Sequence, residues 1–595
     1  MVNIDKRKNN SKDKGIVSAH VKYKYVILCS IKCLKMCLRV WRSAMLKGFV
    51  LAMLCMMPGI MSVAPQDGLS THQTVYVQET NQVLEDNIYI YNSIEDVQRD
   101  ITLQVDMYVE TLGYYTAYDG GSGVYIVQDT GEIFDVVLDN GLYAHLLVED
   151  EINIKQFGAI GDGITDDTEA IQMACDAGYP VVIPYTEESF LISRRISLSH
   201  SIRFEGNIRM TVNNGESGAY GCLLVEDYRG EEPLYISNPL LDGSRDTSIA
   251  YFTNDMEYAH GIRIIGSQNV YVVGGNIAAM QGDGIAIGAS DNYAYSENIY
   301  VDGTVIESCF RNSISIISGK SILIENINAI SQNGYRNILI EATGKAGGVL
   351  EGIYIDGCTL YGGCETAVLD ICSNIKIKDV TICNTYIDIQ GTKTTCGIRH
   401  SNANGYDYIP EKVIVSNTNI ISDNLYVNKQ NLIKADEIIV DNLNIEGHFK
   451  YIGFAGENIK INEFNIKNDS SVIYGCVNIK ATERVEITNS CFNAKNSTQA
   501  YSGILNIEQC PDITVTDSSF LNNQNAIKVK NGPEKHPWVI ESLVIIDNEF
   551  IGSLGYPTAR AIVVGDYNTI LNMDLENNIY ENIKTKILIQ NIDAL

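Results

Sequence analysis

One short phrase recurs through the last two thirds of the chain, and it restricts the fold more than any other feature. It reads Asn269-Val270-Tyr271-Val272, then Asn298-Ile299-Tyr300-Val301-Asp302, Ser321-Ile322-Leu323-Ile324-Glu325-Asn326 and Gly352-Ile353-Tyr354-Ile355-Asp356. Further copies stand at 374–379, 412–417, 437–442, 458–462, 484–489 and 512–517. In each, apolar and polar residues alternate with the period of a strand that buries one face. A polar or Asn turn follows, and Asn suits a tight turn because it tolerates left-handed dihedrals and bonds its own backbone. The spacing is mostly in the twenties of residues, as from Ile299 to Ile322, and stretches where loops intervene. No copy is long enough to bury its own apolar face. Stacked at about 4.8 Å per coil, the copies share a continuous Ile/Val core and satisfy each other's backbones. The expected fold is therefore an all-β solenoid, a right-handed parallel β-helix. Leucine-rich repeats, the main competing solenoid, need a Leu-heavy consensus that is lacking here.

A chain of 595 residues would ordinarily divide into about three or four domains, but a solenoid extends as one because each repeat touches only its neighbours. The formal net charge of -29 disfavours a nucleic-acid partner, since phosphate binding needs a dense Lys/Arg field. It leaves an acidic sugar polymer open, because a local Arg cluster suffices for that. The 15 cysteines are odd in number and show no CxxC spacing. They are read as small buried apolar residues rather than a disulfide framework or metal site.

Residues 1–64 are read as a signal peptide or N-terminal anchor region. Their apolar run starts at Gly48-Phe49-Val50-Leu51 and continues to about Val63, with Lys47 before it; Met45 is an alternative start. The run is short for a membrane span, which needs about 20 residues, and fits the core of an export signal. That points to a secreted or cell-surface location, with membrane contact only through this segment. Residues 65–90 form a linker, and 91–150 a small α+β module with a helix starting at a Ser93 cap. Its Gly-rich stretch 119–123 is a turn between strands, since no helix pattern follows it. The β-helix is assigned to 152–595. Near its start, Thr165 or Asp166 can cap a helix with apolar positions Ala170, Ile171, Ala174 and Ala177, well placed to cover the open end of the solenoid.

The phrase Phe157-Gly158-Ala159-Ile160-Gly161-Asp162-Gly163-Ile164-Thr165-Asp166-Asp167-Thr168-Glu169-Ala170-Ile171, followed by Val182-Ile183-Pro184, resembles the opening of the pectate-lyase-like β-helix superfamily, in its rhamnogalacturonase/epimerase-like or pectate-lyase-3 group. The resemblance implies the fold more strongly than any reaction. That superfamily holds glycoside hydrolases, lyases, epimerases, phage tailspike depolymerases and non-enzymatic members. Within the phrase, Asp162, Asp166 and Asp167 are expected in capping turns.

Four phrases align coil on coil: His260-Gly261-Ile262, Asp283-Gly284-Ile285, Asn312-Ser313-Ile314 and Arg336-Asn337-Ile338. With the Ile residues inside, His260, Asp283, Asn312 and Arg336 form one outward column with neighbours about 5 Å apart. Arg311 lies beside it, Glu341 points outward beyond Leu339, and Asp242 precedes the column by one coil. Ala286 and Ser315 are small and leave room for a sugar ring. Two carboxylates with His and Arg on an exposed sheet suit glycosidic cleavage, in which one acid protonates the leaving oxygen and the second attacks or activates water. The expected catalytic residues are Asp283, Glu341 and Arg311; His260, Asp242, Arg336 and Asn312 position the sugar. Glu307 and Asp370 are read as structural. Tyr251, Tyr258, Tyr293 and Tyr295 are candidate sugar platforms or packing residues.

The partial Gly282-Asp283-Gly284 match to a polygalacturonase-type Gly-Asp-Asp coil keeps one Asp, which weakens a pectin assignment. The expected function is an exported polysaccharide-degrading enzyme, hydrolase ahead of lyase. No cofactor is assigned; Ca²⁺ enters only with a lyase reaction. The alternatives are a non-catalytic carbohydrate-binding adhesin and a phage-type tailspike depolymerase, with monomer and trimer both open.

Overall fold

The computed structural model describes residues 88–210, 221–244, 258–331, 336–342, 348–362, 367–373, 375, 377–389, 396–402, 408–422, 431–448, 452–469, 472–473, 477–494, 499–500, 503–522, 525–530, 538–552, 559–565 and 568–589. The apolar run at 48–63, nearly all of the linker, and Tyr251 lie outside the described residues.

The recurring phrases stack as parallel strands, in register from coil to coil. Val270 pairs with Ile299, Ile299 with Ile322, Ile322 with Ile353 and Ile353 with Val380. The chain is a right-handed parallel β-helix. A 33-stranded sheet carries two of its faces and an 8-stranded sheet the third. The eight strands of that third face are Ile196–Ser197 (β1), Leu223–Glu226 (β2), Ile262–Ile265 (β3), Ile285–Gly288 (β4), Ile314–Ile316 (β5), Ile338–Ala342 (β6), Ala367–Ser373 (β7) and Cys396–Asn402 (β8). One inward column runs through all of them: Ile196, Leu223, Ile262, Ile285, Ile314, Ile338, Leu369 and Ile398. Each of these side chains is almost wholly buried, a gain of about 1.5–3 kcal/mol apiece against the extended chain.

The turns are set by residues that accept a positive φ. Asn269, Asn298, Asn326, Asn384, Asn417, Asn442 and Asn489 all have φ between 44° and 56°, a region where Asn is several-fold enriched. Their amides also link successive coils, as from Asn442 Nδ2 to Asn417 Oδ1 at 3.0 Å.

The helix Thr168–Asp176 packs Ile171, Ala174 and Cys175 on the start of the solenoid. Its N-cap position is Asp167, whose carboxylate turns back to accept from the Ile160 and Gly161 amides. The first-turn amide of Thr168 donates instead to Asp166, one of the two caps expected. Gln172 on this helix meets the free edge of β1: Ser197 N–H donates to its Oε1 at 2.8 Å, and its Nε2 donates to Ser197 O at 3.1 Å. A side-chain amide thus replaces the missing neighbour strand.

Residues 88–148 hold a five-stranded sheet and the helix Ile94–Arg99, capped by Ser93 Oγ accepting from Asp96 N–H. Lys155 Nζ donates to Asp119 O, and Tyr115 Oη to Gly158 O, joining this module to the start of the solenoid. The described cysteines are free. No helix among the described residues is long and apolar enough to cross a membrane.

Candidate functional site

Strand alternation decides what the third face offers. On β3 to β6 the residue after each inward Ile faces out: Arg263, Ala286, Ser315 and Leu339, in direct register. Two residues further stand Ile265, Gly288, Ile317 and Glu341. The middle of this surface is therefore floored by small groups, Ala286, Gly288 and Ser315. A cavity of about 330 Å³ lies over it, with Tyr258, His260, Arg263, Asp283, Arg311 and Glu341 on its walls.

Of the residues expected to act together, His260, Asp283, Arg311 and Glu341 line this one cavity. Asn312, Arg336 and Asp242 do not. The column His260, Asp283, Asn312, Arg336 stands on successive coils, each member two residues before its inward Ile. Three of the four turn inward along the stack rather than outward: His260, Asp283 and Asn312 are 4%, 1% and 1% exposed. Each bonds the amide of the next coil. Asp283 N–H donates to His260 Nδ1 at 3.0 Å, Asn312 N–H to Asp283 Oδ1 at 2.9 Å, and Arg336 N–H to Asn312 Oδ1 at 3.1 Å. Buried polar side chains need such partners, and here the partner is the backbone of the coil above.

Asp283 also faces His260 and Arg311. His260 Nδ1 lies 3.3 Å from its Oδ2 and Arg311 Nε 3.8 Å from its Oδ1. Nδ1 accepts from the Asp283 amide when it carries no hydrogen and donates to the carboxylate when it does, not both at once. Asn312 uses its Nδ2 to hold Ser315 Oγ at 2.9 Å, so it shapes the floor from beneath.

Arg336 is drawn away from the cavity by Asp370, one coil along on β7. Its Nε donates to Asp370 Oδ2 at 3.1 Å. Arg399 on β8 donates to the same carboxylate, with Nη2 at 2.5 Å from Oδ2, and Ser401 Oγ donates to Oδ1 at 2.8 Å. Asp370 is fully buried and clamps β6, β7 and β8 together. Asp242 lies on the other sheet, in register with Arg209 and Ala278, where it accepts from the Ser244 amide. It follows a different face from the column because its strand, Leu240–Asp242, ends before the corner that leads to β3. Glu307 lies on that other sheet too and accepts from Asn276 Nδ2 at 3.3 Å.

Glu341 is the carboxylate on the cavity wall whose titration the surroundings alter. Partial burial raises its pKa above the ordinary glutamate value, and the charges of Asp370 and Asp283 push the same way, against Arg336 and Arg311. A cavity-lining carboxyl held toward its protonated form can donate a proton. Arg263 was not singled out by spacing, since it reads as one polar residue within an alternating strand. It is partly buried, and burial, with Arg195 nearby, lowers its pKa against the opposing pull of Glu226 and Tyr258.

Tyr258 lines the cavity, its ring edge-on to His260 at 6.5 Å between centroids. Tyr293 and Tyr295 are instead covered by cations: Arg229 lies 3.8 Å above the first ring and Lys320 Nζ 4.5 Å from the second. Among the described residues no group of three or more His, Cys, Asp or Glu side chains converges as a metal site.

No family model matches the chain. It is similar to the pre-neck appendage protein of Bacillus phage phi29, 25% identical over 293 residues, which is 41% of this chain and 32% of that protein. The pre-neck appendage protein of Bacillus phage B103 is 24% identical over 260 residues, covering 35% and 30%. The chain thus spans about a third of the length of these relatives. Among solved structures, pre-mature bacteriophage phi29 gene product 12 is 15% identical, covering 71% of this chain and 66% of that one, with a TM-score of 0.42.

Proposed function

We propose that this chain is a phage-type appendage β-helix that binds a cell-surface polysaccharide along its third face and cleaves a glycosidic bond there. The observation that carries this reading is the cavity itself. A floor of small residues lies under a carboxyl, Glu341, whose pKa is raised by burial, with Arg311 beside it. The similarity to phage pre-neck appendage proteins supports a virion-associated role ahead of export as a free enzyme.

Glu341 acts as general acid. It gives its proton to the leaving oxygen as the bond to the anomeric carbon breaks, and water supplies the new hydroxyl at that carbon while its proton passes to the Asp283 carboxylate. Asp283 is the other carboxylate on the cavity wall. Two coils separate it from Glu341, about 10 Å of axial rise, which favours the wide spacing that admits a water over the ~5 Å spacing of a direct nucleophile. A second reading, binding without cleavage, is favoured by one observation: both oxygens of Asp283 already face bonded or charged partners.

The test is incubation of the full chain with a panel of polysaccharides. New reducing ends without ultraviolet absorbance from an unsaturated uronate indicate hydrolysis; both signals indicate a lyase. Glu341→Gln that binds but no longer releases ends supports the reading. Binding with no turnover by the unaltered protein leaves the adhesin, and no binding to any polymer overturns both.

A further inference from the structure

Besides Arg195, just before β1, four arginines stand on or beside the third face near the cavity: Arg263, Arg311, Arg336 and Arg399. Three have carboxylate neighbours. Asp370 holds Arg336 and Arg399, and Asp283 lies 3.8 Å from Arg311. Arg263 differs. Among the described residues it makes no ion pair, although it is partly enclosed and forms part of the cavity wall. Its register partners on the neighbouring strands are Leu224 and Ala286, neither of which offers a charge. The charges that reach it from its surroundings, Arg195 and Glu226, are of opposite sign. A partly dehydrated guanidinium without a counter-ion is unfavourable unless something else supplies the anion. The fixed fork of donors on Arg matches a carboxylate or phosphate oxygen pair.

We infer that Arg263 is the anchor for an oxyanion carried by the sugar chain, so that the polymer recognised in this cavity is acidic. This rests on the glycan-binding reading given above and adds the chemistry of the ligand to it. The placement is specific. Arg263 on β3 and Glu341 on β6 are three coil steps apart, about 14 Å along the axis, with Ala286 and Ser315 on the strands between. The charged group and the bond cleaved at Glu341 therefore belong to different sugar rings, and the rings between lie over the small-residue floor. The overall charge of -29 repels an acidic polymer elsewhere, which makes this local cation the determinant of register along the chain.

The test uses the full chain with polygalacturonate and hyaluronate as carboxylate polymers, phosphomannan as a phosphodiester polymer, and dextran as a neutral control. Binding is measured for the unaltered protein, Arg263→Gln and Arg263→Lys. The expected result is a preference for one of the anionic polymers. Arg263→Gln should weaken that binding at least tenfold and leave dextran binding unchanged, with Arg263→Lys falling between. Which anionic polymer responds separates carboxylate from phosphate. Without ligand, Arg263→Gln should melt at or above the temperature of the unaltered protein, because an unpaired cation is removed; a lower melting temperature would show a structural role and overturn the inference. Equal binding of anionic polymer by both proteins also overturns it. If dextran or its like is bound as tightly as the acidic polymers, the inference fails while the glycan-binding reading stands. If nothing is bound, both fall.

Discussion

Arg336 Nε lies 3.1 Å from the fully buried Asp370 carboxylate, so a cation that spacing offered to the substrate is committed to holding two coils together. Arg399 closes on the same acid from the other side. Asp370→Asn removes one negative charge from beneath two guanidinium groups. Breaking a buried pair by deleting one partner costs about 3–5 kcal/mol, so chemical denaturation should show a loss of that order. The neighbouring strands β6 to β8 should become less protected in hydrogen exchange.

Glu341→Gln should lower turnover on any polymer the protein cleaves by about 10²–10⁴-fold, the usual contribution of a general acid, with binding retained. In the unaltered protein the pH profile follows from the direction of the shift. Burial raises the pKa of Glu341, so the proton it donates is present below that raised value and lost above it. Cleavage should therefore decline as pH rises through it, and the alkaline limb attributable to this acid should vanish in Glu341→Gln. Stability has the same sign for this group. The folded state binds the proton more tightly than the unfolded chain, so the contribution is fully present below the unfolded pKa and disappears as pH rises through the folded one.

Gly288 lines the cavity, and a Cβ built there would meet only Ile317, at 3.4 Å or more. Gly288→Leu should fold normally and fill the floor. Binding of the recognised polymer should drop more than tenfold while the circular dichroism spectrum and melting temperature stay near those of the unaltered protein. Unchanged binding would place the sugar elsewhere.

Gln172→Ala removes both hydrogen bonds from the cap helix to the edge of β1. The site is exposed to water, so the loss should be about 1 kcal/mol per bond or less. A modest fall in melting temperature is expected, with concentration-dependent association detected by light scattering as the bared strand edge becomes available.

Much of this molecule could be read along the chain, and the limits have physical causes. The inward Ile column is a strict period-2 signal, so the coil register that puts Asp283 over His260 follows from counting back two residues from Ile285 and Ile262. Where a side chain goes from there was not legible. His260, Asp283 and Asn312 precede the strands, at corners where a side chain can bend along the stack to an amide, and period-2 alternation says nothing about that choice. The Asp370 contact of Arg336 was hidden for a different reason: that partner is 34 residues away and belongs to the next coil. Asp242 comes just before the column along the chain but sits on another face, because the corner between the faces has no fixed length in sequence. Arg263 went unnoticed since its importance lies in what its neighbours lack. The cap helix was placed correctly and Asp166 accepts from its first-turn Thr168 amide, but the N-cap position itself falls to Asp167, whose carboxylate turns to the preceding loop.

The chain of bonds from His260 through Asp283 and Asn312 to the Arg336 amide also acts as a proofreading device for assembly. Every side chain in it can reach its mate only if the two coils are aligned to the residue, and a slip by one position would leave three buried polar groups stranded at once. A cylinder wound out of step could still bury its aliphatic lining, but it would have no cavity walls. The same alignment that makes the fold single-valued thus makes the site appear all at once or not at all.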